Sequence, residues 1–136
     1  MRRSFFGFSV LIGCGLVTGC SGSKNGVAIE KISSATDLKS RLDAGTITAV
    51  DALDDAHYAD GHIPGAKHCD YEKMSPNCLP PDKATPLVFY CAGGMCPVSK
   101  MAANTAVESG YTKVAVYEGG IKGWKAAGLP VEKATK

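Results

Sequence analysis

The chain is poor in arginine and carries no basic cluster, although its formal charge is +2. That argues against a nucleic-acid partner, which is bound through a basic patch or stripe. It has no internal repeat and no low-complexity tract, so neither a solenoid nor a disordered tail accounts for its length. It shows no metal, nucleotide or flavin motif, and no cofactor is expected. There is one tryptophan, Trp124. The N-terminal apolar run, Phe5 to Val17, is too short to cross a membrane in a mature protein. What is present is a 136-residue chain, enough for one domain with a real core.

Arg2 and Arg3 followed by a short apolar run have the flanks of a signal peptide, assigned to residues 1–19. Its end, Leu16-Val17-Thr18-Gly19-Cys20, resembles the lipobox of bacterial lipoproteins, in which the cysteine is acylated and becomes the new N-terminus. An ordinary secretory cleavage site is the plainer alternative. The lipoprotein resemblance implies an exported chain, anchored to the membrane by lipid on Cys20. Ser21 in the next position implies the periplasmic face of the outer membrane. Residues 20–26 then read as a tether, 27–133 as the domain and 134–136 as a tail. Removing Arg2 and Arg3 leaves thirteen basic against thirteen acidic residues, so the mature chain is formally neutral and Arg41 is its one arginine.

An exported chain lives where disulfides persist. Cys69, Cys78, Cys91 and Cys96 remain in the domain, which allows three pairings. The economical one is a structural Cys69–Cys78 bridge that leaves Cys91 and Cys96 as a pair. Zinc bound by all four is the rival, but no CxxC spacing supports it.

The chemistry centres on Leu87-Val88-Phe89-Tyr90-Cys91-Ala92-Gly93-Gly94-Met95-Cys96-Pro97. The apolar run reads as a buried strand that stops at Cys91. A loop with two glycines follows, then Pro97 at the start of a helix over 98–109. Cys91 therefore sits at the C-terminal end of a central strand, where α/β sheets bind ligands. Glycines let several backbone N–H groups turn toward one anion, and the helix dipole adds to that field. Both favour the thiolate, the reactive form of cysteine. The bland alternative is a buried cysteine closing a strand.

Elsewhere the pattern predicts strands at 27–32, 46–52, 67–69 and 114–117, with helices at 33–42, 54–59 and 121–127. Ser34 or Thr36 is the expected cap of the first helix. Met101, Ala102, Thr105 and Ala106 are the expected sheet-facing side of the helix after Pro97. Strands alternating with helices argue a parallel α/β sheet. Asp51 is either an active-site carboxylate or a buried one that fixes the next turn through backbone N–H bonds. His62 is either a general base or a ring that pins the Gly61–Ala66 turn. Trp124 is either a substrate platform or a core anchor.

In order and spacing, Val50-Asp51, Tyr58, Gly61-His62-Ile63-Pro64-Gly65-Ala66, Val88 to Cys91, Gly110-Tyr111 and Gly119 through Trp124 to Val131 resemble the rhodanese domain. The resemblance spans nearly the whole mature chain. It implies a small α/β domain with a central parallel sheet flanked by helices, and sulfur transfer through a persulfide. A donor such as thiosulfate or polysulfide gives sulfur to the cysteine, and a thiol or other thiophile takes it away. Cys91 lands on the catalytic position. Ala92, Gly93, Gly94, Met95 and Cys96 land on the loop whose amides cradle the persulfide. The chain departs from the family where Cys96 replaces the arginine that often ends that loop, where Leu53 replaces an arginine after the aspartate, and where His57 replaces an acid. Thiosulfate as the donor is therefore left open.

Cys96 suggests a second role. It could resolve a persulfide or sulfenic acid on Cys91 by closing a disulfide, or simply cap the helix. Three readings follow: a sulfurtransferase or persulfide carrier acting as a monomer, a thiol–disulfide protein using Cys91 and Cys96, and a silent binding module.

Overall fold

A computed structural model describes residues 26–134. The expected signal peptide over 1–19, the expected acylation site Cys20, nearly all of the expected tether and residues 135–136 lie outside the described residues.

Residues 87–90 show how the fold is built. Leu87 and Phe89 point to one face of the sheet and Val88 and Tyr90 to the other, as a strand's two-residue period requires, and all four are buried. A strand buried on both sides needs helices on both sides. Five strands form one sheet, β1 (Glu30–Ile32), β2 (Thr48–Asp51), β3 (Lys67–His68), β4 (Leu87–Tyr90) and β5 (Val114–Tyr117), in the order β1-β5-β4-β2-β3. Every pairing is parallel. Helices α1 (Ala35–Asp43), α2 (Asp55–Asp60), α3 (Val98–Glu108) and α4 (Gly120–Ala126) connect or follow them. Two short 3-10 turns, Tyr71–Lys73 and Pro76–Cys78, fill the stretch before β4.

Helix α3 covers one face, with Ala102, Ala103 and Ala106 against Phe89, Leu87, Val114 and Val116. The other face packs Val88, Tyr90, Ala115 and Tyr117 against Leu38 of α1 and Ile121 and Trp124 of α4. β4 lies in the middle, so its C-terminal end opens between both layers.

The first two strands are shorter than their apolar runs. β1 begins at Glu30, not Val27, because β5, its one neighbour, begins at Val114 and Glu30 pairs with Ala115. β2 begins at Thr48, not Thr46, because β4 starts only after Pro86. Ser34, rather than Thr36, caps α1, accepting from the Asp37 N–H at 3.3 Å. The sheet-facing side of α3 is also out of phase with expectation. Met101 is exposed, and Ser99, Ala102, Ala103 and Ala106 are buried. Residues 99, 102, 103 and 106 fall on one stripe at the helical period, and packing against β4 and β5 selects that stripe.

Cys69 and Cys78 are bonded, with Cα atoms 5.4 Å apart. The bond ties the end of β3 to the second 3-10 turn and takes both sulfurs out of any four-thiolate zinc set. Cys91 and Cys96 are free.

Candidate functional site

Cys91 is the first residue after β4, and its backbone is held from the far side of the sheet. Its carbonyl accepts from the Ile121 N–H at 2.9 Å, and the Ala92 carbonyl accepts from Lys122 N–H at 3.1 Å. The start of α4 thus clamps the start of the loop. The clamp tolerates no side chain. Gly93 has φ +111° and Gly120 φ +58°, and a Cβ on either would overlap the other strand of the seam, at the Gly119 carbonyl oxygen or the Gly93 nitrogen.

From that clamp the loop turns back over the sulfur. The Cys96 N–H donates to the Gly93 carbonyl at 3.4 Å. Pro97 precedes α3 and no side chain caps the helix, so its first-turn N–H groups are free to serve something other than the helix. The Cys91 sulfur lies 3.5 Å from the Cys96 carbonyl oxygen and 3.5 Å from Ser99 Oγ, either of which can accept from the thiol. Cys91 and Ser99 are 2 % and 3 % exposed, whereas Cys96 is only half-buried and Met95 at the loop tip is 99 % exposed.

Burial, the largest single influence, pushes the Cys91 thiol up. The donors around it outweigh burial: the Cys96 thiol, the Ser99 hydroxyl, and the backbone N–H groups of Gly93 and Ser99 bring it below the ordinary thiol range. Cys96 goes the other way. Burial and then its hydrogen bond with Cys91 raise it, against the N–H groups of Val98 and Ala92. The pair therefore ionises first at Cys91.

Of the amides expected to cradle Cys91, that of Gly93 lowers its thiol, joined by the Ser99 amide, while the Ala92 and Val98 amides lower the Cys96 thiol. The Cys96 amide is spent on the Gly93 carbonyl, and Gly94 and Met95 form the exposed tip. The reason is that α3 begins two residues after Cys96, so its free N–H groups take part of the work assigned to the loop. Ser99 was invisible to sequence reasoning. It is the second residue of α3, and only its spacing from Pro97 hinted at a place among those free donors.

Asp51 lies fully buried at the end of β2, beside Tyr90 in the sheet. Its Oδ1 accepts from Leu53 N–H at 2.9 Å and so shapes the turn after the strand. Its Oδ2 is buried outside good hydrogen-bond geometry, facing the Tyr90 hydroxyl. Burial pushes this carboxyl up. The Tyr90 hydroxyl in turn accepts from Ile63 N–H at 3.0 Å, joining the end of β4 to the glycine-proline turn. His62 stacks on Tyr58 with ring centroids 3.8 Å apart, and its Nδ1 lies 2.9 Å from the Tyr58 carbonyl oxygen. Its backbone pairs with Glu132. Trp124 is 2 % exposed and its indole N–H donates to Pro130 O at 2.7 Å, so it anchors the core and offers no platform.

The loop carries no cation, and Lys100 lies on α3 with its ammonium 3.9 Å from Glu118. Cations come instead from α4. A groove of about 280 Å³ beside Ala92 is lined by Leu53, His57, Asp60, Lys122 and Lys125 among others. Neither lysine makes an ion pair among the described residues, whereas His57 is held by Asp54 at 2.7 Å.

Residues 34–127 match the family model of the rhodanese-like domain. The thiosulfate sulfurtransferase GlpE of Actinobacillus pleuropneumoniae is 32 % identical over 87 residues, covering 64 % of this chain and 79 % of the relative. GlpE of Pseudomonas paraeruginosa is 31 % identical over 86 residues, covering 63 % and 76 %. Among solved structures, the Alr3790 protein from Anabaena sp. superposes with a TM-score of 0.63 at 34 % identity, over 73 % of this chain and 78 % of that one. The BH2092 protein from Bacillus halodurans gives 0.68 at 25 % identity, over 77 % and 76 %. With a free cysteine closing the central parallel strand and a glycine loop folded over its sulfur, this chain belongs to the rhodanese-like domain family.

Proposed function

We propose that the protein is a sulfurtransferase that carries sulfane sulfur as a persulfide on Cys91. One observation supports this above the others: the Cys91 sulfur, at the C-terminal end of the central strand, lies 3.5 Å from the Ser99 hydroxyl at the start of α3, and Cys96, that hydroxyl and the Gly93 and Ser99 amides bring its thiol below the ordinary range despite burial. The 31–32 % identity to relatives named thiosulfate sulfurtransferase points the same way.

With thiosulfate as donor, the Cys91 thiolate attacks the outer sulfur. The S–S bond of thiosulfate breaks, sulfite leaves with the electron pair, and the new S–S bond joins the transferred sulfur to Cys91. The persulfide keeps one negative charge, which the same donors stabilise as an oxyanion hole would. A thiophile such as cyanide or a thiol then takes the outer sulfur and returns the thiolate. Lys122 and Lys125 in the adjoining groove supply the positive charge for an anionic donor that the loop lacks.

The reduced protein, given thiosulfate or polysulfide, gains one sulfur atom on Cys91 by mass spectrometry. Cyanide releases it as thiocyanate, and Cys91→Ser abolishes both. Absence of added sulfur from either donor overturns the reading.

The same reading places the mature protein in the cell envelope, on the periplasmic face of the outer membrane, held by lipid on Cys20. The short apolar run, the Leu16-Val17-Thr18-Gly19-Cys20 segment and a Cys69–Cys78 bond that suits an oxidising compartment support it. Cys20→Ala should move the protein from the membrane to the soluble fraction, and retention in the membrane would refute the anchor.

A further inference from the structure

We infer that Cys96 is a built-in reductant for the sulfur carried by Cys91, so that the loop turns a sulfane sulfur into sulfide and closes a Cys91–Cys96 disulfide. The inference rests on the persulfide reading above and names the first thiol that meets the persulfide.

Three features carry it. The loop turn from Gly93 to Cys96 folds Cys96 back onto Cys91, with the Cys91 sulfur 3.5 Å from the Cys96 carbonyl oxygen. Both thiols are free, while the remaining pair in the described domain is already bonded. The exposure is graded: Cys91 is buried and Cys96 half-buried, so any group on Cys91 is formed beside the second sulfur before it meets solvent.

The two sulfurs are also prepared for different jobs. Cys91, with Gly93, Ser99 and the Ser99 hydroxyl as donors, is the thiol that ionises first and attacks the donor. Cys96 stays protonated until the persulfide has formed. The Ala92 and Val98 amides then stabilise its thiolate as it develops. The attack falls on the inner sulfur, Cys91 Sγ, which already lies 3.5 Å from the Cys96 carbonyl oxygen. A bond forms between the two Sγ atoms, the bond from Cys91 Sγ to the outer sulfur breaks, and the outer sulfur leaves as hydrosulfide with the electron pair and one proton. The sulfane sulfur gains two electrons and the two thiols lose two on becoming a disulfide. An external dithiol returns the pair to the reduced state by ordinary thiol–disulfide exchange. The chain would thus stand between a reaction that supplies sulfane sulfur and one that consumes sulfide.

The test uses the reduced, desalted mature protein with one equivalent of thiosulfate or tetrasulfide and neither cyanide nor added thiol. Sulfide is trapped with a bimane reagent, and the protein is mapped by mass spectrometry without reduction. The expected result is up to one sulfide per chain and a peptide cross-linked through Cys91 and Cys96. Cys96→Ser, and independently Cys96→Ala, should hold the extra sulfur on Cys91 and release no sulfide. If the wild-type protein keeps the sulfur on Cys91 with Cys96 free, or carries it on Cys96, the reductant role is overturned while the carrier reading stands. If neither wild type nor the Cys96 variants gain sulfur from either donor, the carrier reading falls and the reductant role with it.

Discussion

Ser99→Ala isolates one of the contacts that bring the Cys91 thiol below its ordinary range. The side chain is almost fully buried, so little else changes when one oxygen is lost, and the Ser99 backbone N–H stays where it is. In the thiol form Ser99 Oγ can accept from Cys91; after ionisation the hydroxyl must turn and donate. A hydrogen bond to a charged group is worth about 1.5–3 kcal/mol net, but a 3.5 Å contact to sulfur is long, and about 0.5–1.5 kcal/mol is the reasonable share. At 1.36 kcal/mol per unit, the thiol should rise by about 0.4–1.1 units. Below the midpoint the thiolate fraction then falls by about 2.5- to 12-fold. The rate of alkylation by iodoacetamide, followed against pH on reduced protein, reads this directly. The midpoint should shift upward, and the plateau above it should rise because a more basic thiolate is intrinsically the better nucleophile. An unmoved midpoint, or a lower plateau, would show that the hydroxyl does not support the thiolate and that the backbone donors suffice.

Three further outcomes follow from the same geometry. Gly93→Ala puts a Cβ onto the Gly119 carbonyl at a positive φ; the backbone conformation alone costs about 1–2 kcal/mol, and the shift needed to relieve the overlap takes the Gly93 N–H off the sulfur. Urea unfolding should show the loss of stability, and the alkylation midpoint should rise with it. Replacing Cys69 and Cys78 together by serine should lower stability by about 2–3 kcal/mol, the chain entropy of a short closed loop, yet leave the Cys91 alkylation profile in place because the bridge, though packed on the same face as α3, makes no hydrogen bond to Cys91, Cys96 or Ser99. Lys122→Gln with Lys125→Gln should raise the KM for thiosulfate about 2- to 5-fold per lysine, an effect that shrinks as salt is added and leaves kcat alone; a KM independent of both changes would remove the groove from donor binding.

Much of this protein follows from local pattern. A two-residue apolar period bounded by proline and a double glycine makes β4, and a strand followed by a helix, repeated, makes a parallel sheet with Cys91 at the carboxyl edge of its middle strand. The position of Asp51 at a strand end, beside a turn whose N–H groups need an acceptor, is equally local. Strand lengths are not: Val27 and Thr46 read as strand but find no neighbour, because pairing stops where the adjacent strand begins. Which stripe of α3 meets the sheet is decided by packing, which is why Met101 faces water and Ala103 the sheet. Nor could spacing alone say which amide meets which sulfur. Ser99 and Val98 reach the two thiols because the loop folds back over the strand end, and that fold is held by Ile121 and Lys122, some thirty residues downstream, bonding the carbonyls of Cys91 and Ala92. The reactive sulfur and its partner thiol were therefore set by short-range pattern, while the donors from α3 and the lysines of the groove were chosen by long-range packing, since only the packed sheet brings the starts of two helices to one residue.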